Sequence, residues 1–251
     1  ELNGKVFNQH LNSIEVFGRF NLNKRWQLSV YLPISFIKQS SENSAIRTTG
    51  LGDMSFQLQY NVLDPLRCNG KKTKHQLRLG AGTKLPSGDF KMNSNETFTT
   101  NVQLGTGSID FIGNAIYTFR LKGFGFNAST SYRFNTTNPK GYRFGNKAQA
   151  ALNFFYITEV KGISVMPSVG FTYEHQFYNK YAGNMLNYTG GSYAYTSAGL
   201  DIYYKQFAFS TIVTPAVMNH LNWNGENRNR VGFEAGVFYN FSTIKTTKTN
   251  K

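Results

Sequence analysis

The sequence predicts an all-β protein, a transmembrane antiparallel up-and-down β-barrel of about twelve strands. Three observations lead there: apolar and polar residues alternate along most of the chain, short and long connections alternate, and aromatic residues gather near segment ends. The clearest segment is VGFEAGVFYNF, residues 231–241, in which six apolar side chains occupy every second position. Alternation with a period of two indicates a strand with one apolar face and one polar face.

The same pattern recurs along the whole chain. Eleven segments show it: 14–22, 26–36, 53–62, 76–84, 110–119, 124–134, 148–156, 163–174, 194–204, 207–213 and 231–241. None of them carries a charged residue on its apolar face, and the opposite faces are mostly Ser, Thr, Asn, Gln and Gly with a few charges of both signs. A soluble β-sandwich or lectin array is the alternative, but the polar face of such a protein meets water and is usually rich in Lys and Glu. The composition favours a hydrated interior with lipid outside.

The connections between these segments support a barrel that crosses a membrane. The short ones are 23–25, 120–123, 158–162 and 205–206, and the long ones are 38–50, 86–101, 135–147, 175–192 and 215–229. Outer-membrane barrels have short periplasmic turns and long outer loops, flanked by two aromatic girdles. One connection departs from the rule, because 63–74 is long for a short turn.

Strand parity predicts a twelfth strand. Bacterial single-chain barrels have an even number of strands, so the eleven segments leave one unaccounted for. Residues before Glu1 could supply it, residues 1–10 could pair irregularly, or another strand could lack the pattern. We expect one barrel domain over 1–241 and a polar tail over 242–251. No signal peptide is visible and the sequence begins at Glu1, so we expect a mature or truncated product.

Composition excludes several other classes of protein. Hydrophobic residues make up 40% and charged residues 16%, less charge than the quarter or so that is usual for soluble proteins. The net charge of +14 first suggests nucleic acid, but the basic residues are scattered over turns and the tail, and no nucleic-acid-binding motif accompanies them. The single cysteine, Cys68, excludes a disulfide framework. We therefore expect no nucleic-acid partner.

The sequence offers no catalytic constellation. His10, His175 and His220 are expected in loops on the outer side, where a metal site is conceivable but histidines are usually solvated. A lipase on a barrel wall needs a serine and a histidine that face outward on neighbouring strands. His75 is the one histidine expected near a strand, and no serine accompanies it on that face. We expect no enzyme activity, no cofactor and no metal.

Three glycine-rich motifs identify a family. They are TGLGDMSFQLQYNV (49–62), GAGTKLPSGDF (80–90) and QLGTGSIDFIGNAIYTF (103–119). Their order and spacing resemble the outer-membrane barrel family named after the meta-pathway of phenol degradation, whose members are labelled as transporters. The resemblance implies a transport role in a Gram-negative outer membrane. The abundance of Asn, Lys, Tyr and Phe also resembles proteins of Bacteroidota.

The polar faces supply the candidate site. The charged residues expected to face the lumen are Glu15, Arg19, Asp53, Arg78, Lys84, Asp110, Arg133, Glu174, Asp201 and Glu234. Lys84 and Arg78 are expected to neutralise Asp53 and Asp110, either as an ion-pair cluster that stiffens the wall or as a constriction that filters solutes. The lumen aromatics Phe17 and Tyr31 could bind flat solutes or fill space.

Together these features predict a narrow passive channel for small solutes, aromatic ones among them. The alternative is a non-conducting barrel that serves as a structural or accessory subunit of a larger outer-membrane complex. The expected partners are outer-membrane lipid, small solutes and, in the alternative, other outer-membrane proteins.

Overall fold

The computed structural model describes residues 8–41, 44–63, 73–91, 103–187, 189–221 and 231–241. Its strands are β1 (Asn8–Asn21), β2 (Trp26–Ser41), β3 (Ser44–Leu51), β4 (Ser55–Leu63), β5 (Thr73–Lys84), β6 (Asp110–Leu121), β7 (Phe124–Phe134), β8 (Tyr142–Arg143), β9 (Lys147–Tyr156), β10 (Thr158–Val160), β11 (Ile163–Gln176), β12 (Lys180–Tyr181), β13 (Asn184–Met185), β14 (Gly191–Tyr204), β15 (Phe207–Leu221) and β16 (Val231–Tyr239). Every strand pair among them is antiparallel. None of the described residues forms a helix long and apolar enough to cross a membrane.

One continuous sheet organises the chain. Its strands follow the order β1-β2-β4-β5-β6-β7-β9-β11-β14-β15-β16, so each long strand pairs with the next long strand along the chain. Each of the eleven predicted segments falls on one of these eleven strands. The prediction of an all-β antiparallel meander is therefore confirmed, because the alternation that reveals the strands also fixes which face each residue occupies.

The predicted loop at 38–50 is wrong. β2 continues to Ser41, and β3 returns beside it with Ile34 opposite Leu51 and Ser41 opposite Ser44. The strand is then interrupted at 52–54, where the Gly52 amide donates to the Pro33 carbonyl over 2.8 Å. The chain continues in the same direction as β4. The apolar pattern fades beyond Phe36, but the backbone ladder needs no apolar face to continue. The break lets Asp53 leave the ladder.

The turn predicted at 158–162 is shorter in the structure. Thr158–Val160 forms β10, which pairs with β11 in the register that β9 already has, so that only Lys161 and Gly162 remain as the turn. Both have left-handed φ angles, 52° and 79°. Because β9 and β10 share one register with β11, they form one strand that is interrupted at Ile157.

The sheet curls so that its two ends approach each other. Phe17 on β1 and Phe238 on β16 lie with their ring centroids 5.3 Å apart, and Glu15 on β1 lines the same cavity as Arg133 on β7. The polar face is therefore the concave one. Within the described residues the ladder does not join β16 to β1.

The convex face is apolar and exposed. On β16, for instance, Val231, Phe233 and Val237 are 65–68% exposed, and similar side chains follow on the other long strands. A soluble sandwich would cover such a face with a second sheet, but none covers it here in the described part of the chain. A contiguous apolar surface of this size indicates contact with lipid.

A small second sheet orders two of the predicted long loops. Strands β8, β12 and β13 form it from the connections 135–147 and 175–192. Tyr142 of β8 is almost fully buried at 1% exposure, and its hydroxyl accepts a 2.7 Å hydrogen bond from the Asn179 amide. These connections therefore form a packed cap at the long-loop end of the sheet.

Candidate functional site

The three glycine-rich motifs meet at one point of the concave face. Asp53 lies in the interruption between β3 and β4, Lys84 is the last residue of β5, and Asp110 is the first residue of β6. Thr106 and Ser108 come from the connection that leads into β6. We term these five residues the ion cluster.

Lys84 is the centre of the ion cluster. Its ammonium lies 2.7 Å from an Asp53 carboxylate oxygen and 2.6 Å from an Asp110 carboxylate oxygen, and it donates a hydrogen bond to the Thr106 hydroxyl. The side chains of Lys84, Asp53 and Asp110 are only 7%, 6% and 0% exposed. The prediction that Lys84 neutralises both acids is confirmed.

The remaining lone pairs of the two carboxylates are also satisfied. Asp53 accepts from the amides of Gly88 (3.0 Å) and Thr106 (2.8 Å) and from the Thr106 hydroxyl (2.8 Å). Asp110 accepts from the Ser108 hydroxyl and from the amide of Thr136, both over 2.9 Å. One ammonium faces two carboxylates, and these polar donors compensate the surplus negative charge.

Gly88 and Gly105 allow the segments around residues 52, 88 and 105 to pack against one another. A side chain at Gly88 would place its Cβ 2.9 Å from the Gly105 Cα and from the Gly52 carbonyl carbon, and a side chain at Gly105 would collide with Gly88 and Asp53. The backbone therefore approaches closely at Gly88 and Gly105, and as a consequence residues 103–106 lie on the concave face.

A cavity of about 300 Å³ adjoins the ion cluster. Glu15, Tyr31 and Arg133 line it from the strands, while residues 103–106 and Phe144 line it from the connections. Acidic, basic and aromatic groups thus face one partly open cavity.

Arg78 does not neutralise the acids, contrary to our expectation. Its guanidinium donates to the side-chain carbonyls of Gln27 (3.0 Å), Gln59 (3.4 Å) and Gln76 (3.4 Å). Lys84 and Arg78 share a face of β5 but stand six residues apart, roughly 20 Å along an extended strand. Arg78 therefore belongs to a separate amide-rich layer nearer the short turns, where Arg19 lies close enough to interact with it electrostatically.

The other predicted charges are spread over the concave face. Glu174 forms an ion pair with Lys147, whose ammonium donates to its carboxylate over 3.1 Å, and both side chains are partly exposed. Glu234 lies close enough to Glu15 to interact with it electrostatically across the approach of β16 to β1. Asp201 on β14 is in no ion pair within the described residues. The structure thus unites three of the ten predicted charges in one cluster and leaves the rest dispersed.

Three aromatic rings meet below the cavity. Phe17 and Tyr31 stack with centroids 5.9 Å apart and an interplanar angle of 13°, and Phe238 meets Phe17 edge to face. The Arg19 guanidinium carbon stands 5.5 Å from the centre of the Phe17 ring. Sequence reasoning had identified Phe17 and Tyr31 but missed Phe238, which looks like part of an unbroken apolar run next to Val237.

The expectation that His10, His175 and His220 lie in loops is wrong, because β1, β11 and β15 extend far enough to include them. His175 stands opposite Ser192 on β14, with its Nδ1 atom 2.9 Å from the serine hydroxyl, which also accepts from the Tyr173 hydroxyl over 3.0 Å. No hydrogen bond from His175 to a carboxylate is found in the described residues, and no metal-ligating cluster is found there either. The absence of catalysis stays a prediction.

The comparisons with known proteins agree with this architecture. A family model described as "Putative MetA-pathway of phenol degradation" matches residues 3–243. The chain belongs to this family. Among solved structures, it is similar to the crystal structure of an outer membrane channel from Pseudomonas putida F1, at 14% identity with a TM-score of 0.63. That match covers 94% of this chain and 84% of the channel. No curated protein sequence matches the chain.

Sequence reasoning did not find every side chain that binds the two acids of the ion cluster. Sequence reasoning missed Thr106, Ser108 and Thr136, which supply hydrogen bonds to Asp53 and Asp110. A signal existed for two of them, because Thr106 and Ser108 lie within the LGTGSID motif just before Asp110. No pattern in the sequence points to Thr136.

Proposed function

We propose that the chain is a closed outer-membrane barrel of twelve strands, from a Gram-negative bacterium of the Bacteroidota, that acts as a narrow passive channel for small solutes. One observation carries the proposal: the concave face gathers charged, polar and aromatic groups around a cavity of about 300 Å³, while the apolar face points outward. The fold that the chain shares with an outer membrane channel supports it.

The cavity sets what the channel would pass. Arg133 and Glu15 line the cavity with charges of opposite sign, so small solutes of either charge could find a partner along the wall. The stacked rings of Phe17 and Tyr31 offer a flat surface of the kind on which aromatic solutes stack. Small and aromatic solutes are therefore the proposed cargo.

One observation favours the rival function, a non-conducting accessory subunit of a larger complex. The buried ion cluster fastens residues 103–106 to the concave face, with its acids and ammonium already satisfied within the protein. A segment held so firmly narrows the passage and suits a plugged barrel. The two functions differ in whether solutes cross.

The deciding experiment is solute flux through the purified protein in liposomes, with neutral, anionic, cationic and aromatic probes of graded size. Folding is checked beforehand by heat-dependent migration on SDS gels. A channel gives size-limited flux. The variant Arg133→Glu should reduce anion flux several-fold and raise cation flux, because it reverses the charge on the cavity wall. Phe17→Leu should lower the flux of aromatic probes more than that of non-aromatic probes of similar size and charge.

Arg47→Glu is the matched control. Arg47 on β3 is the register partner of Lys38 on β2, and its side chain is exposed on the convex face. The same charge reversal there should leave the ion selectivity unchanged. Flux no higher than that of empty liposomes, from protein shown to be folded, would exclude the channel and favour the accessory subunit.

A further inference from the structure

The short-turn end of the sheet carries a concentration of positive charge that the channel does not use. Seven cations lie at this end in the described residues, and we term them the basic rim: Lys24, Arg25, Lys74, Arg120, Lys122, Lys161 and Lys205. Every short connection that the structure describes contributes at least one of them, and Lys74 and Arg120 lie at the ends of β5 and β6. The one carboxylate among the described residues of this end is Glu159.

Three lysines of the basic rim occupy an unusual backbone conformation. Lys122, Lys161 and Lys205 each stand first in a two-residue turn, with φ angles of 53°, 52° and 52°. This left-handed region favours Gly and Asn in hairpin turns and disfavours lysine. A lysine at the same place in three separate hairpins indicates that the charge at the turn tip has a use that compensates for the poor local fit.

The cations of the basic rim have few partners in the described residues, although the Arg25 guanidinium donates a hydrogen bond to the Tyr60 hydroxyl. None of its cations lies within 4 Å of a carboxylate in the part of the chain that the structure describes. Six of the seven are exposed, the exception being Arg120, whose guanidinium donates to the Lys122 carbonyl over 2.9 Å. The charges are therefore available to an outside ligand.

A belt of aromatic side chains borders the basic rim and fixes its depth in a membrane. The pairs Trp26–Tyr60, Phe124–Tyr156 and Phe207–Tyr239 lie on the convex face at this end, with ring centroids 4.8, 4.5 and 5.1 Å apart. Lys205 sits 5.1 Å from the centre of the Tyr204 ring. Aromatic belts lie at the boundary between hydrocarbon and headgroups, which puts cations one or two residues further on at the level of lipid phosphates.

We propose that the basic rim is a binding site for anionic phospholipids, whose phosphate-bearing headgroups the lysines and arginines hold. The proposal rests on the proposed function, in which the chain spans an outer membrane. Short turns face the periplasm in outer-membrane barrels, where the facing leaflet is made of phospholipid. Each cation near an anionic lipid surface strengthens binding by roughly five-fold, so several together give a clear preference for anionic over zwitterionic lipid.

The protein carries its own probe for this site. Trp26 adjoins Arg25 at the end of β2 and is 40% exposed, and the variant Trp223→Phe removes the second of the two tryptophans. The protein is placed in phosphatidylcholine vesicles that contain a minor share of brominated phosphatidylglycerol or, in a parallel sample, brominated phosphatidylcholine. Bromine quenches only nearby tryptophan, so the ratio of the two quenching efficiencies reports which lipid is enriched beside Trp26.

We expect brominated phosphatidylglycerol to quench several-fold more strongly, and salt to reduce the difference. The triple variant Lys24→Gln, Arg25→Gln and Lys74→Gln removes the cations of the basic rim that lie nearest to Trp26 along the sheet, and should bring the ratio of the two quenching efficiencies close to one. The control Lys38→Gln, Arg47→Gln and Lys91→Gln removes three charges from the long-loop end and should keep the preference.

Equal quenching by both lipids in the parent protein, or a preference that survives the triple variant, would overturn the proposal. The two proposals also fail separately. Without insertion into the bilayer, neither brominated lipid quenches Trp26. A barrel that inserts but passes no solute still shows the lipid preference.

Discussion

The two ends of this sheet use charge in opposite ways. At the long-loop end, Lys84 is buried and bound by two carboxylates, and it joins β5 to β6, to the segment between β3 and β4 and to the connection before β6. At the short-turn end, Lys122, Lys161 and Lys205 are exposed and have no carboxylate partner within the described residues. The difference shows that the net charge of +14 cannot be assigned one role: burial makes a lysine structural, and exposure leaves it free for a ligand.

The largest expected effect comes from removing the buried cation. Lys84→Met leaves Asp53 and Asp110 facing each other without a counter-charge, which should lower the free energy of unfolding by about 3–5 kcal/mol. Urea titration of the protein in phospholipid vesicles, followed by tryptophan fluorescence, measures it. Lys147→Met is the comparison, because its pair with Glu174 is 37% and 23% exposed, and it should cost less than about 1 kcal/mol.

A rescue variant separates lost charge from lost packing. The triple variant Lys84→Met, Asp53→Asn and Asp110→Asn removes the unpaired acids as well as the ammonium, and should recover most of the lost stability. Equal costs for Lys84→Met and Lys147→Met would remove the contrast between the two ends.

A smaller effect is expected from loosening the segment that the ion cluster holds. Gly105→Ala places a methyl group against Gly88 and Asp53 and should cost about 1–3 kcal/mol by overpacking. Residues 103–106 line the cavity, so their displacement should also raise solute flux in the liposome assay. Gly113→Ala is the control, since its Cβ meets nothing within 4 Å. Lower stability with unchanged flux would show that this segment does not limit the passage.

Periodicity was sufficient to predict the eleven strands that form the path of the main sheet, and the reason is physical. A strand with lipid on one face cannot place a charge there, so the sequence records the facing of every residue. The extent of each strand is not recorded in the same way. β2 and β3 continue through polar residues beyond the membrane, and His175 consequently lies in a strand where a loop was expected.

The ion cluster was only partly predictable for a related reason. The alternation pattern predicted that Asp53, Lys84 and Asp110 lie on the concave side. The register between neighbouring strands then decides which of them meet. Asp110 is the register partner of Lys84 across β5 and β6, whereas Arg78 shares their face but lies too far along β5. The contribution of Thr136 depends on the path of a connection, which no alternation pattern encodes. The predicted polar tail at 242–251 lies outside the described residues. Irregular pairing was one expectation for residues 1–10, but Asn8, Gln9 and His10 belong to β1 and pair regularly with β2, while residues 1–7 lie outside the described residues.

The smallest expected effect tests the basic rim from the opposite side. Lys161→Asn removes an exposed charge at a left-handed φ of 52°, a conformation that asparagine tolerates better than lysine. In detergent without phospholipid, the free energy of unfolding should change by no more than about 0.5 kcal/mol, with any change stabilising. The same urea titration measures it.

In vesicles rich in phosphatidylglycerol the gain should vanish or reverse, because the lysine then binds a headgroup that asparagine cannot bind. A loss above about 1 kcal/mol in detergent would mean that Lys161 stabilises the turn itself, and the contrast between a structural lysine and a lipid-binding one would not hold at this hairpin.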